Sequence, residues 1–184
     1  SVLNPGGKNI VNRVENEFPL ARTKYTKLYL SAADSSLSTS LPQKETISSY
    51  QSESRQPKVT YRFRMTKPTE ITGYMKLHLW VSSSQANDID LYLQAQKLNE
   101  KGEEIDILIH GAPYSGKDGA KYQWGNGQIR VSHRKLNIQK STEQIPFLAH
   151  DDQQLLLPNE IVPVDIEIPP MAMKFKSGQH LKII

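Results

Sequence analysis

The sequence predicts an all-β fold, a β-sandwich of jelly-roll type. About eight to ten segments alternate apolar and polar residues with a period of two, the pattern of a strand that buries one face. No stretch of ten residues has the apolar spacing of an amphipathic helix. Many strands joined by turns and by long polar connections are typical of two packed sheets.

The strongest alternation lies in two segments within residues 71–98. Apolar residues or glycine occupy every second position from Ile71 to Val81, and apolar residues do so again from Ile89 to Ala95. Successive side chains of a strand point to opposite faces, so each segment is predicted to bury one face. The connecting residues, Ser82–Asp88, suit either a long hairpin loop or a crossover between two sheets.

Further strands are predicted from the same alternation. They are Tyr25–Leu30, Lys58–Met65, Glu104–His110, Gln128–Leu136, Glu160–Ile168, the end of Phe175–Ile184 and, as a weak strand, Glu45–Tyr50. In Gln128–Leu136, Ile129 and Val131 are predicted to face inward and Ser132 outward. Asn99–Gly102 is predicted to be a hairpin turn, and Pro163 indicates a sheet edge or a bulge. Residues 31–57, 111–127 and 137–158 are predicted to be long loops.

Composition indicates one domain over residues 1–184, with residues 1–15 as an entry segment. The hydrophobic content is 37% and the mean hydropathy is −0.56, which suits a β-domain whose strands expose one face. The net charge of +4 comes from basic and acidic residues mixed along the chain, so we expect no nucleic acid as a partner. The sequence has no run of 18 apolar residues, so we expect no membrane as a partner either. The sequence has no cysteine and no visible signal peptide, which favours the cytoplasm over secretion.

Catalytic and cofactor motifs are not found, and we expect no catalytic residue, cofactor or metal. Gly111–Lys117 fits the first seven positions of a phosphate-binding loop, but Asp118 stands where a hydroxyl is needed and no helix follows. No serine has the Gly-x-Ser-x-Gly frame of a hydrolase elbow. The histidines lack zinc-site spacing. Asp88 and Asp90 could ligate calcium, but a turn cap for Asp88 and one buried hydrogen bond for Asp90 are favoured.

A polar face with several aromatic rings is the candidate interdomain or ligand surface. Its residues are Tyr74, His78, Trp80, Asp88, Asp90 and Trp124, with Tyr92 as a further candidate. Such rings can stack on sugars, but large amphipathic side chains are also typical of interfaces, and packing against a neighbouring domain is favoured.

Four stretches in order resemble the C-terminal domain of the X-prolyl dipeptidyl peptidase and cocaine-esterase-type acylase family of serine hydrolases. They are Asn16–Leu30, Leu79–Leu91, Ile129–Arg134 and Phe175–Leu181. The family usually has Trp where this chain has Phe18. The resemblance covers most of the chain, from about residue 15 onward.

The resemblance implies a sandwich similar to galactose-binding domains, attached to an α/β-hydrolase domain that carries the catalytic Ser, Asp and His. It implies that this domain packs on the hydrolase domain, in cis or as a separate chain, shapes access to the active site and can support a homo-oligomer. We therefore expect an accessory domain that is not catalytic alone, and a fragment or a split gene product. The alternative is an independent carbohydrate-binding module.

Overall fold

The computed structural model describes residues 1–109, 120–122 and 125–184. Within these residues it contains ten β-strands and one 3-10 helix, Val131–His133, so the all-β prediction is confirmed. The strands are β1 (Tyr29–Ser31), β2 (Ser36–Ser38), β3 (Tyr61–Arg64), β4 (Thr69–Val81), β5 (Asp90–Leu98), β6 (Ile107–Ile109), β7 (Ala120–Tyr122), β8 (Asn126–Arg130), β9 (Val162–Phe175) and β10 (His180–Ile183).

The strands form one large sheet and two small ones. The large sheet has the order β1-β2-β3-β10-β5-β8, and the small sheets pair β4 with β9 and β6 with β7. In the large sheet β10 is antiparallel to both of its neighbours, so that Leu181 lies opposite Phe63 on β3 and Lys97 on β5. β2 and β3 pair in parallel.

The two segments with the strongest alternation do not pair with each other. β4 pairs with β9, whereas β5 belongs to the large sheet. The connection after Val81 is therefore a crossover, and the hairpin alternative is wrong. Backbone bonds hold this connection, because Leu156 N donates to Asn87 O (2.7 Å) and Asn159 N donates to Ser83 O (2.7 Å).

The chain divides into two compact units. Unit 1 comprises Ser1–Thr72, Gln94–Trp124 and Ala172–Ile184, and unit 2 comprises Gly73–Leu93 and Gly125–Met171. Strands β4, β5 and β9 each contribute residues to both units. The single domain expected over residues 1–184 stays a prediction.

The core of unit 1 includes the first residues of the chain. Its buried apolar side chains include Val2, Leu98, Met173, Phe175 and Leu181. The segment around Leu3 runs beside β9, since Leu3 N donates to Ala172 O (3.0 Å) and Lys174 N donates to Leu3 O (2.9 Å). Burial of Val2 and this pairing fix the entry segment to the unit.

Lys97 lies inside unit 1 with a side chain that is 1% exposed. Its Nζ donates to Pro5 O (3.0 Å) and to Asn4 Oδ1 (3.3 Å), and lies 5.7 Å from the centroid of the Phe175 ring. No carboxylate forms a salt bridge with Lys97 within the part of the chain that the structure describes. Burial, followed by the nearby charge of Lys176, lowers the pKa of Lys97 to about 8, while Glu100 opposes the shift.

The first half of β9 contributes more buried apolar residues to the core of unit 2 than any other element. The buried apolar residues of this core are Leu93, Ile129, Val131, Leu156, Val162, Val164, Ile166 and Ile168. The alternation predicted for Glu160–Ile168 is confirmed, although β9 begins at Val162 and continues to Phe175. Pro163 is exposed on a strand whose one paired neighbour in the described chain is β4, as expected for a residue without a backbone N–H.

Gly127 on β8 packs directly against the backbone of β9. A Cβ at this position would lie 2.5 Å from Glu167 O and 2.8 Å from Ile166 Cγ2. We expect Gly127→Ala to lower the free energy of unfolding by about 1–3 kcal/mol, because the backbones must separate to admit a methyl group. Urea unfolding measures this change, with the neighbouring exposed Gln128→Ala as the control. Equal stability of both variants would contradict the close approach.

Two predicted strands near the N-terminus are wrong in extent or existence. Within Tyr25–Leu30 only the last two residues belong to a strand, because β1 begins at Tyr29 and pairs with β2 over three residue pairs. Tyr25 lies before this strand and is exposed. Glu45–Tyr50 is not a strand, and Ile47 is 84% exposed, so its alternation has no core to face. β3 is confirmed within Lys58–Met65, and the turn at Asn99–Gly102 is confirmed by a φ of 83° at Gly102 and the bridge between Leu98 and Glu104.

Three predictions in the second half of the chain need correction. Gln128–Leu136 is a strand only to Arg130, because the 3-10 helix then turns the chain and brings Ser132, predicted to face outward, to 0% exposure. The strand predicted for Glu104–His110 is shorter, because only β6 is a strand among the described residues of this range. After a single bridge between Leu98 and Glu104 the chain separates from β5, and β6 pairs with β7 instead. β7 lies within the loop predicted for residues 111–127.

Candidate functional site

The exposed faces of β4 and β9 in unit 2 carry the predicted site residues His78 and Trp80. Residues at alternate positions of both strands turn toward solvent, while Val164 and Ile166 between them are buried. We call this surface the outward face, and its residues are Lys76, His78, Trp80, Pro163, Asp165 and Glu167. Period-two alternation places these side chains together because the two strands pair.

Asp165 connects the two strands of the outward face. Its Oδ1 lies 2.7 Å from His78 Nδ1, and its Oδ2 lies 3.5 Å from Lys76 Nζ. The Asp165 side chain is 15% exposed, whereas that of His78 is 50% exposed. The less exposed carboxylate of Asp165 therefore restrains the His78 ring, and much of the surface of that ring stays accessible to solvent.

Trp80 is 67% exposed, which is unusual for the largest apolar side chain. Its ring meets the edge of His78, with centroids 6.0 Å apart and planes at 89°. Tyr74 precedes these residues on the same alternation and is half-buried. Tyr92 is 77% exposed but lies on β5 in the large sheet, so its grouping with Trp80 is wrong.

Asp88 holds the start of β5 against the 3-10 helix. Its Oδ1 accepts from Ile89 N and Ser132 N, both at 2.9 Å, and its Oδ2 accepts from Ser132 Oγ at 2.7 Å. Burial acts to raise the pKa of Asp88, but the bonds from Ser132 and Ile89 outweigh it and hold that pKa below its ordinary value. Asp88 thus caps the connection between β4 and β5.

Asp90 forms a two-pronged ion pair at the surface of unit 2. Arg130 Nε donates to its Oδ1 (2.8 Å) and Arg130 Nη2 to its Oδ2 (2.9 Å). The hydrogen bonds from Arg130 hold the pKa of Asp90 below its ordinary value. The single buried hydrogen bond expected for Asp90 is wrong, because Asp90 is exposed. Both carboxylates are thus engaged by donors of the chain itself, Asp88 by Ile89 and Ser132 and Asp90 by Arg130.

An open groove of about 250 Å³ adjoins the outward face and shares Asp165 and Glu167 with it. Its other lining residues are Gln128, Pro146, Phe147, Leu148 and His150. Lys140 Nζ lies 4.8 Å from the centroid of the Phe147 ring. The groove therefore combines an aromatic wall with two carboxylates and an amide.

The remaining predicted features lie partly outside the described residues. Trp124 and the loop Gly111–Lys117 belong to that part, so the structure does not place them. Within residues 1–109, 120–122 and 125–184, no three His, Asp or Glu side chains are close enough to hold a metal ion. The same residues include no helix with the length and hydropathy of a membrane crossing.

Sequence reasoning missed Asp165, Ser132 and the groove. The position of Asp165 between the buried Val164 and Ile166 indicates that it faces outward, but the sequence does not tell which strand lies beside it. Ser132 faces inward because residues 131–133 form a 3-10 helix, in which the alternation of a strand does not apply. The groove depends on a loop, residues 146–150, that carries no periodic signal.

Comparison with known proteins gives the same family over nearly the whole chain. Residues 2–184 match the family described as the X-Pro dipeptidyl-peptidase C-terminal non-catalytic domain. No match was found among curated proteins. The fold is similar to that of an aminopeptidase from a marine sediment Thaumarchaeota archaeon, with a TM-score of 0.59 and 16% identity over 92% of this chain and 30% of that one.

Two crystal structures of a CocE/NonD family hydrolase from Staphylococcus aureus are more similar. The first has a TM-score of 0.88 and 33% identity over 99% of this chain, and the second has a TM-score of 0.84 and 34% identity over 93%. This chain spans 32% and 30% of those chains, about a third of their length. The β-sandwich prediction is confirmed, and the likeness to galactose-binding domains stays a prediction.

Proposed function

Because the chain belongs to the X-Pro dipeptidyl-peptidase C-terminal non-catalytic domain family, we propose that it packs on an α/β-hydrolase domain of the same polypeptide. In this role it shapes access to the active site of that domain and does not catalyse alone. The family membership predicted from the sequence motifs is confirmed. The chemistry of the whole protein, dipeptidyl peptidase or acyl esterase, is part of the proposal.

The observation that carries this proposal is the exposure of Trp80 beside a prearranged polar group. Asp165 Oδ1 lies 2.7 Å from His78 Nδ1, and the His78 ring in turn packs nearly perpendicular to the Trp80 ring. Tryptophan is enriched among the residues that contribute most to interface affinity. A partner that covers the outward face would bury the indole and satisfy the polar atoms around it.

The partner is inferred from the size of the relatives. The chain spans 32% of the Staphylococcus aureus hydrolase, and the description of the matching family calls the domain C-terminal and non-catalytic. The remaining length of such a hydrolase is ample for a catalytic domain. A domain attached in cis has a high effective concentration, so a modest apolar surface is enough for stable packing.

We expect Trp80→Ala, in the full-length protein that the gene encodes, to weaken packing between the two domains by about 2 kcal/mol. Thermal unfolding followed by calorimetry should show the transition of this domain separating from that of the hydrolase domain. Tyr92→Ala is the matched control, because Tyr92 is also an exposed aromatic residue of unit 2 but lies on β5 in the large sheet. The same result for both variants would contradict docking through the outward face.

We expect the purified chain to hydrolyse p-nitrophenyl acetate and a Gly-Pro-p-nitroanilide no faster than buffer does. Ser132, a fully buried serine of unit 2, donates to Asp88 and cannot reach a substrate. Release of p-nitrophenol or p-nitroaniline followed by absorbance measures this. Turnover that a serine-directed phosphonate abolishes would contradict the non-catalytic role.

A second candidate function, carbohydrate binding, has one observation in its favour. The exposed Trp80 ring stands near a groove with polar groups from Gln128, Asp165 and Glu167, and sugar sites combine a stacking ring with such groups. Binding to a glycan array that disappears with Trp80→Ala or Trp124→Ala, while circular dichroism stays unchanged, would favour this function over domain packing.

A further inference from the structure

A stretch of unit 1 near the N-terminus is held in place mainly by charged side chains. Residues 11–22, here called the entry arm, form no helix or strand, and their one buried apolar side chain is Leu20. Arg13 donates to both oxygens of Glu70 (2.7 Å each) and also pairs with Glu15 (2.6 Å). Arg22 in turn donates to both oxygens of Glu15.

These ion pairs form one continuous chain from the arm to β4. Glu70 is the second residue of β4, and its Oε1 also accepts from Thr72 Oγ1 (2.8 Å). The hydrogen bonds from Arg22, with further bonds from Arg13, lower the pKa of Glu15 to about 2. Glu15 is therefore ionised at neutral pH and keeps its ion pairs with both arginines. A shared network of bidentate pairs restrains a segment better than isolated surface pairs do.

Three apolar side chains of the entry arm, all except the buried Leu20 among the large ones, are mostly exposed. Val14 is 90% exposed, Val11 is 60% exposed and Phe18 is 53% exposed. Arg13 and Glu15 are half-buried in the ion pairs, and the exposed polar residues of the arm are Asn12, Asn16, Glu17 and Arg22. Three exposed apolar side chains within eight residues are more than a short surface segment needs, and they are typical of a segment that another surface covers.

The path of the chain indicates what covers the arm. Val2 pairs with Ile10 through two backbone bonds, Val2 N to Ile10 O (2.8 Å) and Ile10 N to Val2 O (3.0 Å). Any polypeptide that precedes residue 1 therefore leaves unit 1 beside the first residue of the arm. The matching family is described as a C-terminal non-catalytic domain, so under the proposed function such a polypeptide is the catalytic part of the protein.

We propose that the entry arm docks on the catalytic domain that precedes this domain in the same polypeptide, with Val11, Val14 and Phe18 against an apolar surface of that domain. The inference rests on the proposed function and adds a second contact surface, in unit 1, to the outward face. The absence of unpaired basic groups from the arm makes a nucleic acid or an anionic membrane a poor fit. A second copy of the chain is the competing occupant.

Photo-crosslinking in the full-length protein tests the inference. p-Benzoylphenylalanine at position 14 is expected to crosslink within one polypeptide to residues that precede Ser1, as mapped by mass spectrometry. The same group in place of Glu143, an exposed polar position in unit 2, is expected to give no such product. Arg13→Gln, which cuts the arm from Glu70 and Glu15, should lower the yield at position 14 several-fold.

The other possible crosslinking results contradict either the inference about the entry arm alone or the proposed function as well. Crosslinks at position 14 that join two polypeptides overturn the inference in favour of self-association. A crosslink to the preceding domain from position 80, with none from position 14, overturns the arm inference alone. If neither position crosslinks to a preceding domain, or if the gene encodes no such domain, both the inference and the proposed function fail.

Discussion

Replacing Asp88 by alanine is expected to lower the free energy of unfolding by about 3–4 kcal/mol. Its carboxylate accepts three hydrogen bonds, two of them from the backbone N–H and hydroxyl of the fully buried Ser132. Bonds to a charged acceptor contribute about 1.5–3 kcal/mol each, and the buried donors left behind add a desolvation cost. The loss should also loosen the crossover between β4 and β5.

Denaturant unfolding of the purified chain measures the effect, and two further variants test its cause. Ser132→Ala removes one donor and should cost about 1 kcal/mol, while Asp90→Ala removes only an exposed ion pair and should cost under 1 kcal/mol. If Asp90→Ala proves as costly as Asp88→Ala, the capping role assigned to Asp88 is wrong.

The contribution of Asp88 should depend on pH in the acid range. Because its pKa is lower in the folded chain than in the unfolded chain, the unfolded chain binds more protons as the pH falls below the ordinary value of 3.8. The stabilisation is therefore complete above that value and is lost at lower pH. The difference in stability between the native chain and Asp88→Ala should shrink as the pH falls from 5 toward 3.

The second large effect is expected at alkaline pH and arises from Lys97. Its pKa is about 8 in the folded chain against an ordinary value of 10.5, so between these values the unfolded chain binds more protons. Stability should therefore rise with pH across this window, by about 3 kcal/mol for a shift of this size. Below pH 8 the folded chain bears the full cost of a buried ammonium group.

Lys97→Met separates this effect from the other groups that titrate in the same range. Methionine fills a similar volume without a charge, so the variant should lack most of the rise between pH 8 and 10.5. Lys182→Met is the control, because burial lowers the pKa of Lys182 as well, but that side chain is less deeply buried. Parallel pH profiles for the native chain and Lys97→Met would contradict the assignment.

Sequence alternation predicted the inward faces well where a strand lies on a core. Val162, Val164, Ile166 and Ile168 are all buried as expected, because a strand that packs on one side reads as period two. The same reasoning failed at Ile47, which alternates in sequence but has no core beneath it. Alternation shows only which residues of one segment share a face. Burial of that face also requires another part of the protein to pack against it.

The candidate site was predicted only in part for the same reason. His78 and Trp80 were placed together on one strand, and they do contact each other. Asp165, which fixes His78, is distant in sequence and comes near only because β9 pairs with β4. Tyr92 was grouped with Trp80 because the two strands are neighbours along the chain, yet they belong to different sheets.

The all-β class, the family and the identity of most strands can be read from the amino-acid sequence. These follow from residue alternation, turn residues and short motifs, which are local properties of the chain. The pairing of the strands, the partners of Lys97 and Asp165, and the exposure of Val11, Val14 and Phe18 on the entry arm become visible only in the three-dimensional structure. Those features depend on contacts between residues far apart in sequence. The free energy of such contacts cannot be inferred from the residue pattern of a single segment.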